Sequence, residues 1–229
     1  MVKVKWLGHS AFEIKSGKFT LLVDPFITGN PQAECTVEDI CADYILLTHG
    51  HADHVGDGFA IAKKCGATII APNELAVYAG QKGLNTHPMH IGGAFEFPFG
   101  RVKLTPAFHG SAIVEEDGTI VYTGMPCGFL IDIDGKTIYH AGDTGLHAEM
   151  MFLGDFEDIE LALLPIGDNF TMGPRDAAIA VDMIDPKIVV PMHYGTWPPI
   201  DSSPEDFADM VDTEGVEVKI MKPGEVLEI

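Results

Sequence analysis

The most informative stretch of the chain is His49-Gly50-His51-Ala52-Asp53-His54. It directly follows Tyr44 to Thr48, a continuous apolar run that is typical of a strand buried on both faces. Four of its six side chains can bind metal ions. Histidine accounts for only 10 of 229 residues, so three within six positions indicate a metal site. The alternative interpretation is an exposed polar loop in which histidine is dense by accident.

The ligand types and their spacing favour two ions. Imidazole and carboxylate groups suit zinc, manganese, iron or nickel. In extended backbone His49 and His51 share a face, because alternate side chains point the same way. Asp53 and His54 are adjacent and diverge, so they can serve a second ion. We therefore expect two divalent metal ions, whose identity these ligand types leave open.

Loop ligands alone do not complete such a site, since catalytic zinc takes three protein ligands plus water. Further candidates that follow strand-like runs are His109, Asp143 and His193. Ligands at strand ends lie on one edge of a rigid scaffold. Taken singly, each has another interpretation, as a hydrogen-bonded histidine or a turn aspartate.

The organisation of the chain indicates one domain over residues 1–229, because no Ser- or Pro-rich linker divides it. A helix is predicted from Ala52 to Lys64, with Gly66 as its end. Two segments, 12–24 and 129–143, each join two β runs at a turn and end in an aspartate. They indicate a duplication, with chance similarity as the alternative.

The charge balance restricts the partners. Asp and Glu number 34 and Lys and Arg 14, which gives a formal net charge of −20. Such an excess repels phosphate backbones and anionic lipids, so nucleic acid is disfavoured and a small-molecule substrate is expected. No run approaches the roughly 18 apolar residues that span a bilayer, so no membrane insertion is expected. The sequence leaves the oligomeric state open.

The N-terminal residues and the cysteines predict a cytoplasmic protein. Polar residues interrupt the first apolar run before the h-region of a signal peptide can form. None of the cysteines forms a Cys-x-x-Cys pair, and buried reduced thiols are expected. These cysteines are Cys35, Cys41, Cys65 and Cys127.

The order of the candidate ligands resembles that of the metallo-β-lactamase superfamily. The shared pattern is His49-x-His51-x-Asp53-His54, then His109, Asp143 and His193. The resemblance covers nearly the whole chain and implies an α/β fold, a four-layer αββα sandwich of two similar halves. It implies one metal site at His49, His51 and His109. It implies a second site at Asp53, His54 and His193, with Asp143 bridging the two ions.

Further motifs resemble the UPF0173 group of metal-dependent hydrolases. They are Trp6-Leu7-Gly8-His9-Ser10, Leu22-Val23-Asp24-Pro25, Ala141-Gly142-Asp143-Thr144 and Gly167-Asp168-Asn169-Phe170-Thr171-Met172-Gly173. That group is similar to the ascorbate-phosphate lactonases and to the phosphodiesterases that cleave N-acyl phospholipids. Flavodiiron oxidases of the superfamily carry Glu where this chain has His51, so redox iron chemistry is disfavoured.

These features predict a dinuclear metal-dependent hydrolase, in which hydroxide between the ions attacks a small ester, lactone or phosphodiester. Asp53 is the candidate to orient the nucleophile or accept its proton, and His9 is the candidate to donate a hydrogen bond to the substrate. Asp24 is the candidate partner for the second nitrogen of a ligating imidazole. The alternatives are a structural histidine for His9 and a turn residue for Asp24.

Two other functions stay open at this point. A saturated coordination shell would favour a metal sensor or storage protein with little turnover, and a nuclease would need a basic track that the charge balance disfavours. Candidates to line the pocket are His140, Asn169, Thr171 and Tyr194. Surface or capping histidines are expected at His87, His90 and His147.

Overall fold

The computed structural model describes residues 1–229. Its strands in chain order are β1 (Val2–Gly8), β2 (Ala11–Ser16), β3 (Phe19–Val23), β4 (Tyr44–Leu46), β5 (Thr68–Pro72), β6 (Asn85–Met89), β7 (Ala94–Phe97), β8 (Gly100–Pro106), β9 (Ala112–Val114), β10 (Ile120–Tyr122), β11 (Cys127–Ile133), β12 (Lys136–His140), β13 (Ile159–Pro165), β14 (Ile188–Met192), β15 (Glu217–Val218) and β16 (Val226–Glu228). Its α-helices are α1 (Ala52–Val55), α2 (Gly58–Cys65), α3 (Asn73–Gln81), α4 (Met150–Phe156), α5 (Pro174–Ile184) and α6 (Pro204–Met210). None of these helices is long and apolar enough to cross a membrane.

The strands form two seven-stranded sheets and one separate hairpin. The first sheet has the order β16-β1-β2-β3-β4-β5-β6, and the second has the order β15-β14-β13-β12-β11-β8-β7. The hairpin of β9 and β10 pairs with neither sheet. Both large sheets combine antiparallel and parallel pairs, and the parallel pairs require crossover connections.

The layers follow from the alternation of side chains along each strand. On β3, Leu21 and Val23 belong to the large core that also contains Phe129 of the second sheet. Leu22, between them, belongs to a second core shared with helical residues such as Ile61 of α2. Successive strand residues face opposite sides, so each sheet has one face toward the other sheet and one toward helices. The predicted αββα sandwich is confirmed.

The two halves repeat the same strand order. An antiparallel β2–β3 hairpin is followed by the parallel pairs β3–β4, β4–β5 and β5–β6. An antiparallel β11–β12 hairpin is likewise followed by β12–β13, β13–β14 and β14–β15. Asp24 follows β3 directly, and Asp143 lies three residues beyond the end of β12, so both aspartates follow the second strand of their hairpin. The strand order thus confirms the similarity of the two hairpins that the sequence indicated.

The single helix predicted from Ala52 to Lys64 is wrong, because the segment forms α1 and α2 with a break at Gly56. Gly56 has φ of +44° and ψ of −123°. A Cβ there would lie 2.6 Å from the Cα of Phe26 and the carbonyl oxygen of Pro25. Asp57 stabilises this break. Its backbone N–H donates to the carbonyl oxygen of Pro25, and its carboxylate accepts the N–H groups of Ile27 and Thr28.

The expectation of four reduced thiols is also wrong. Cys41 and Cys65 form a disulfide, although 24 residues separate them in sequence. Cys127 is a buried free thiol, and Cys35 is a free thiol that is only half-buried. Disulfides are rare in cytosolic proteins, so this bond counts against the cytoplasmic location, which stays a prediction.

Replacing Gly56 by alanine tests the break. Gly56→Ala places a Cβ against backbone atoms and forces an L-residue into a positive φ. We therefore expect the free energy of unfolding to fall by roughly 3 kcal/mol or more. The matched control is Gly66→Ala, because Gly66 ends α2 with φ of +71° but has open space around its Cβ position. The free energy of unfolding of that variant should fall by only about 1 kcal/mol. Equal decreases for the two variants, measured by urea unfolding, would contradict the close approach at Gly56.

Candidate metal centre

All the predicted ligands lie at one edge of the two sheets, on loops or, for Asp53 and His54, in the short helix α1. The histidine-rich stretch connects β4 to α1, and His109 follows β8. Asp143 follows β12 and His193 follows β14. Within the second sheet β8, β12 and β14 run parallel to one another, since β8 and β12 are both antiparallel to β11. Their carboxyl ends therefore meet at the same edge.

The first predicted ligand set converges in space. The Nε2 atom of His49 lies 2.9 Å from Nδ1 of His51, and Nε2 of His109 lies 3.2 Å from the same Nδ1. Ligand atoms of all three lie within 4.8 Å of one another. His49 is fully buried, whereas His51 and His109 are half-buried and reach the surface. Three imidazoles from two distant loops thus face one point.

The second predicted set converges beside the first. Asp53, His54 and His193 offer ligand atoms within 4.8 Å of one another, and His9 joins this group. The Oδ2 atom of Asp53 lies 3.8 Å from Nε2 of His54 and 3.8 Å from Nε2 of His193. Both histidines are buried, while the Asp53 side chain is 25% exposed. This set therefore keeps one carboxylate accessible from outside.

Asp143 lies between the two sets. Its Oδ2 atom is 3.0 Å from Nε2 of His193 and 3.5 Å from Nε2 of His109. Its Oδ1 atom is 3.2 Å from Nε2 of His54. The carboxylate is almost completely buried. One carboxylate thus approaches members of both sets, as expected of a group that bridges two cations.

The buried polar atoms of the cluster fit metal ligation. Nε2 of His54, both ring nitrogens of His193 and Oδ1 of Asp143 have no hydrogen-bond partner. A buried polar atom without a partner is costly, and most such atoms in proteins are satisfied. Imidazole nitrogens and carboxylate oxygens are also the donors that divalent transition metals prefer. The residues present therefore fit the metal ions that the sequence implies.

Burial and carboxylate charge compete over the ionisation of the cluster. Burial by itself lowers the pKa of His193, but the nearby carboxylates, above all the negative charge of Asp143, outweigh it and raise the pKa to about 9. In His54 the carboxylates around the ring likewise outweigh burial and hold its pKa well above the ordinary value. His49 has mainly imidazole neighbours, and burial holds its pKa well below the ordinary value. The carboxylates thus favour positive charge beside them.

Asp24 lies behind the ligands, where the sequence predicted a supporting carboxylate. Its Oδ2 atom is 2.7 Å from Nδ1 of His54 and accepts a 2.6 Å hydrogen bond from the hydroxyl of Thr48. Its Oδ1 atom accepts the backbone N–H of Thr48 at 2.9 Å. The Thr48 hydroxyl also lies 2.9 Å from Nδ1 of His49. The sequence analysis missed Thr48, although its position immediately before His49 could have indicated it.

His9 is held in the second set by a network of its own. Its Nε2 atom lies 3.2 Å from Oδ2 of Asp53, and its Nδ1 atom lies 2.8 Å from Oγ1 of Thr196. Its backbone N–H donates to Oε1 of Gln32 at 2.7 Å. Burial lowers the pKa of His9 to about 4, against the hydrogen bond of Asp53, so the ring is neutral at pH 7. Nothing in the local sequence indicated Gln32 or Thr196, because both come from distant loops.

The opening above the cluster is a cavity of about 200 Å³. Its lining residues are His51, Asp53, His109, Asp143, Phe170 and His193. His9 does not line it, so the predicted contact of His9 with substrate does not fit this placement. In the loop between β13 and α5, Phe170 lines the cavity. Asn169 and Thr171, which were predicted to line it, do not.

Three other histidine and tyrosine predictions have clear outcomes. His140 is buried and bonds through Nε2 to the carbonyl oxygen of Ser10, so it does not line the cavity. Tyr194 packs its ring against Trp6. His147 is buried against Phe108, which contradicts the surface alternative of its prediction, while its carbonyl oxygen accepts the N–H of Met150 at the start of α4. Burial of His147 depends on the path of a loop, which local sequence does not specify.

Comparison with known proteins identifies the family. The model of the beta-lactamase superfamily domain matches residues 20–194. UPF0173 metal-dependent hydrolases of Anoxybacillus flavithermus and Bacillus subtilis are each 54% identical to this chain, over 100% of both chains. The chain belongs to the UPF0173 metal-dependent hydrolases of the beta-lactamase superfamily. A solved metallo hydrolase of the archaeon Ignicoccus hospitalis is 39% identical, with a TM-score of 0.89 over 100% of this chain and 99% of its own. This UPF0173 chain is therefore a metal-dependent hydrolase.

Removing the Asp24 carboxylate tests its support of the cluster in the metal-free protein. Asp24→Ala leaves three buried donors of Thr48 and His54 without an acceptor. We therefore expect the free energy of unfolding to fall by roughly 3 kcal/mol or more. The control is Asp57→Ala, because Asp57 also accepts two backbone N–H groups but is partly exposed to water. Its free energy of unfolding should fall by only about 1 kcal/mol. Both variants are measured by urea unfolding in the presence of a chelator. Similar decreases for the two variants would contradict the supporting role of Asp24.

Proposed function

We propose that this single-domain hydrolase is dinuclear and acts on a small ester, lactone or phosphodiester. The observation that carries the proposal is the position of Asp143, whose two oxygens approach His54, His109 and His193 within 3.5 Å. A buried carboxylate surrounded by imidazoles of two separate sets suits a bridge between two cations.

Each proposed ion has its own protein ligands. His49, His51 and His109 would hold one ion, and Asp53, His54 and His193 the other, with Asp143 shared. When bound, the divalent ions would lower the pKa of water toward neutrality and polarise the oxygen under attack. Zinc, manganese, iron and nickel all suit these donors.

Asp53 and His9 have separate proposed roles. Asp53 is the accessible carboxylate of the cavity, so it can orient the nucleophile and accept its proton. His9 touches Asp53 but is itself buried, with both ring nitrogens engaged. We therefore assign His9 as a positioning residue that fixes the Asp53 carboxylate, rather than as a group that touches substrate. Thr196 in turn holds the His9 ring in place.

An open cavity at the ligands favours turnover over storage, since a catalytic site keeps a position for substrate. The cavity is lined by no Lys or Arg. A nuclease requires cationic contacts to phosphates along its substrate, so the lining and the charge of −20 both disfavour it. A small-molecule substrate fits these observations.

Metal analysis tests the dinuclear site. Protein reconstituted with zinc or manganese and then dialysed should hold two ions per chain, because two ligand sets are present. Asp143→Ala should reduce the content to one ion or none, since both ions would lose a ligand. The control is His87→Ala, a histidine of β6 outside the cluster, which should retain two ions. A stoichiometry of one ion in the unchanged protein would contradict the proposal.

Chelation separates hydrolase from storage protein. Chromogenic esters, lactones and phosphodiesters are offered to the metal-loaded protein and to a sample stripped by chelator. We expect turnover with at least one class, lost on stripping and restored when metal is added back. Two tightly bound ions with no turnover on any class would support metal storage instead.

Replacing Asp53 tests the proton acceptor. Asp53→Ala should lower kcat by about 100-fold or more, the usual contribution of a general base, while the protein stays folded. Asp155→Ala, an exposed carboxylate of α4, is the control and should keep full activity. The metal content of each variant is measured alongside, because Asp53 is also a proposed ligand. Retention of more than about a tenth of the activity would count against this role.

A further inference from the structure

We propose that a second cavity beside the metal centre binds the acyl chain of the substrate, which is an uncharged carboxylic ester or lactone with an apolar acyl group. This inference rests on the proposed hydrolase function and narrows its substrate class. We call this cavity the acyl groove. It lies between the α1–α2–α3 segment and the β9–β10 hairpin, and it has a volume of about 560 Å³.

The metal-facing cavity is small. It measures about 200 Å³, below the roughly 300–1,000 Å³ of typical small-molecule sites. A substrate that is larger than this cavity and has its reacting bond at the ligands must extend into neighbouring space. His51 lines both the metal-facing cavity and the acyl groove. The groove thus adjoins the site of the chemistry at a proposed ligand.

Both walls of the acyl groove carry apolar side chains. Val55 and Phe59 line it from the helical side, and Ala112, Ile113 and Val114 line it from the hairpin. Val114 is 68% exposed, although the transfer of an apolar side chain out of water is favourable. A hydrocarbon chain in the groove would cover these surfaces on both walls.

The hairpin wall is fixed at its base. The backbone N–H of Gly50 donates to Oγ of Ser111 at 3.1 Å, and that oxygen lies 2.7 Å from Oγ1 of Thr123. A side chain at position 50 would collide with Thr123, so glycine is required for this approach. The groove therefore begins within one residue of the ligands His49 and His51.

The hairpin wall is also fixed at its tip. The hydroxyl of Tyr78 on α3 bonds to the carboxylate of Glu115, and Nζ of Lys82 lies 3.7 Å from the same carboxylate. β9 and β10 have no sheet partner beyond each other, so these contacts hold the hairpin against the helices. Anchors at both ends make the acyl groove a preformed feature.

The charges on the two cavities favour an uncharged substrate. Lys82 is the only Lys or Arg that lines either cavity, and it is already paired with Glu115 at the outer end. Glu116 lines the same outer end. A phosphodiester would find no free protein cation, and an anionic chain end would meet a carboxylate. An ester or lactone with an apolar acyl group meets neither penalty.

A series of p-nitrophenyl esters tests the acyl groove with the metal-loaded protein. From acetate through butyrate to hexanoate, kcat/KM should rise by about fourfold per buried methylene. Ala112→Trp fills the groove and should remove this rise. The control is Ile120→Trp, on the other strand of the same hairpin, which is 72% exposed and does not line the groove.

A milder variant guards against misfolding of the tryptophan variant. Val114→Asp lies on the exposed outer wall, so it should fold normally, and its carboxylate should weaken hexanoate turnover more than acetate turnover. Chain-length dependence that is unchanged in both variants would overturn the proposal. Faster turnover of bis(p-nitrophenyl) phosphate than of every ester would also overturn it.

Binding of 2-octanone separates the groove from the reaction. This ketone resembles an ester but has no leaving group, and its binding is followed through NMR shifts of the methyl groups of Val55, Ile113 and Val114. We expect these shifts in the unchanged protein and their loss in Ala112→Trp. Shifts without any ester turnover would support the groove and refute the hydrolysis of esters. No shifts at these methyl groups would overturn the groove itself.

Discussion

The burial of the Asp143 carboxylate among imidazoles is the constraint on which the rest of the site depends. A buried carboxylate requires positive charge or hydrogen-bond donors beside it. His54 supplies them from helix α1 and His109 and His193 from two loops, at 3.0–3.5 Å. The loops of both halves must therefore close over one point. The same carboxylate and the unpartnered nitrogens of His54 and His193 would hold a divalent cation, which would supply the missing positive charge.

A layer of polar residues behind the ligands holds this arrangement. Asp24 accepts from Thr48 and approaches His54, and the Thr48 hydroxyl approaches His49. One carboxylate thus orients a histidine of each proposed metal set. Partners of this kind fix the orientation and tautomer of ligating imidazoles. Asp24 and Asp143 each follow the second strand of the hairpin in their half, yet one supports the ligands and the other approaches them directly.

The separate hairpin gives the site its asymmetry. The two sheets repeat the same strand order, but β9 and β10 add a wall only beside the first half. Gly50 allows that wall to approach the histidine-rich stretch, and Glu115 holds its far end against α3. The repeated sandwich thus positions the chemistry, while the added hairpin shapes the space next to it.

The sequence by itself determined the fold class, the duplicated hairpins and the residues that converge at the site. Alternating apolar patterns and the spacing of His and Asp residues are local features, so they can be recognised from the sequence without the structure. Only the tertiary structure decided the break at Gly56, the Cys41–Cys65 disulfide and the contacts of Gln32 and Thr196 with His9. Each of these depends on an approach between segments that are distant in the chain. Such approaches are set by the packing of whole layers, and no short stretch of sequence encodes them.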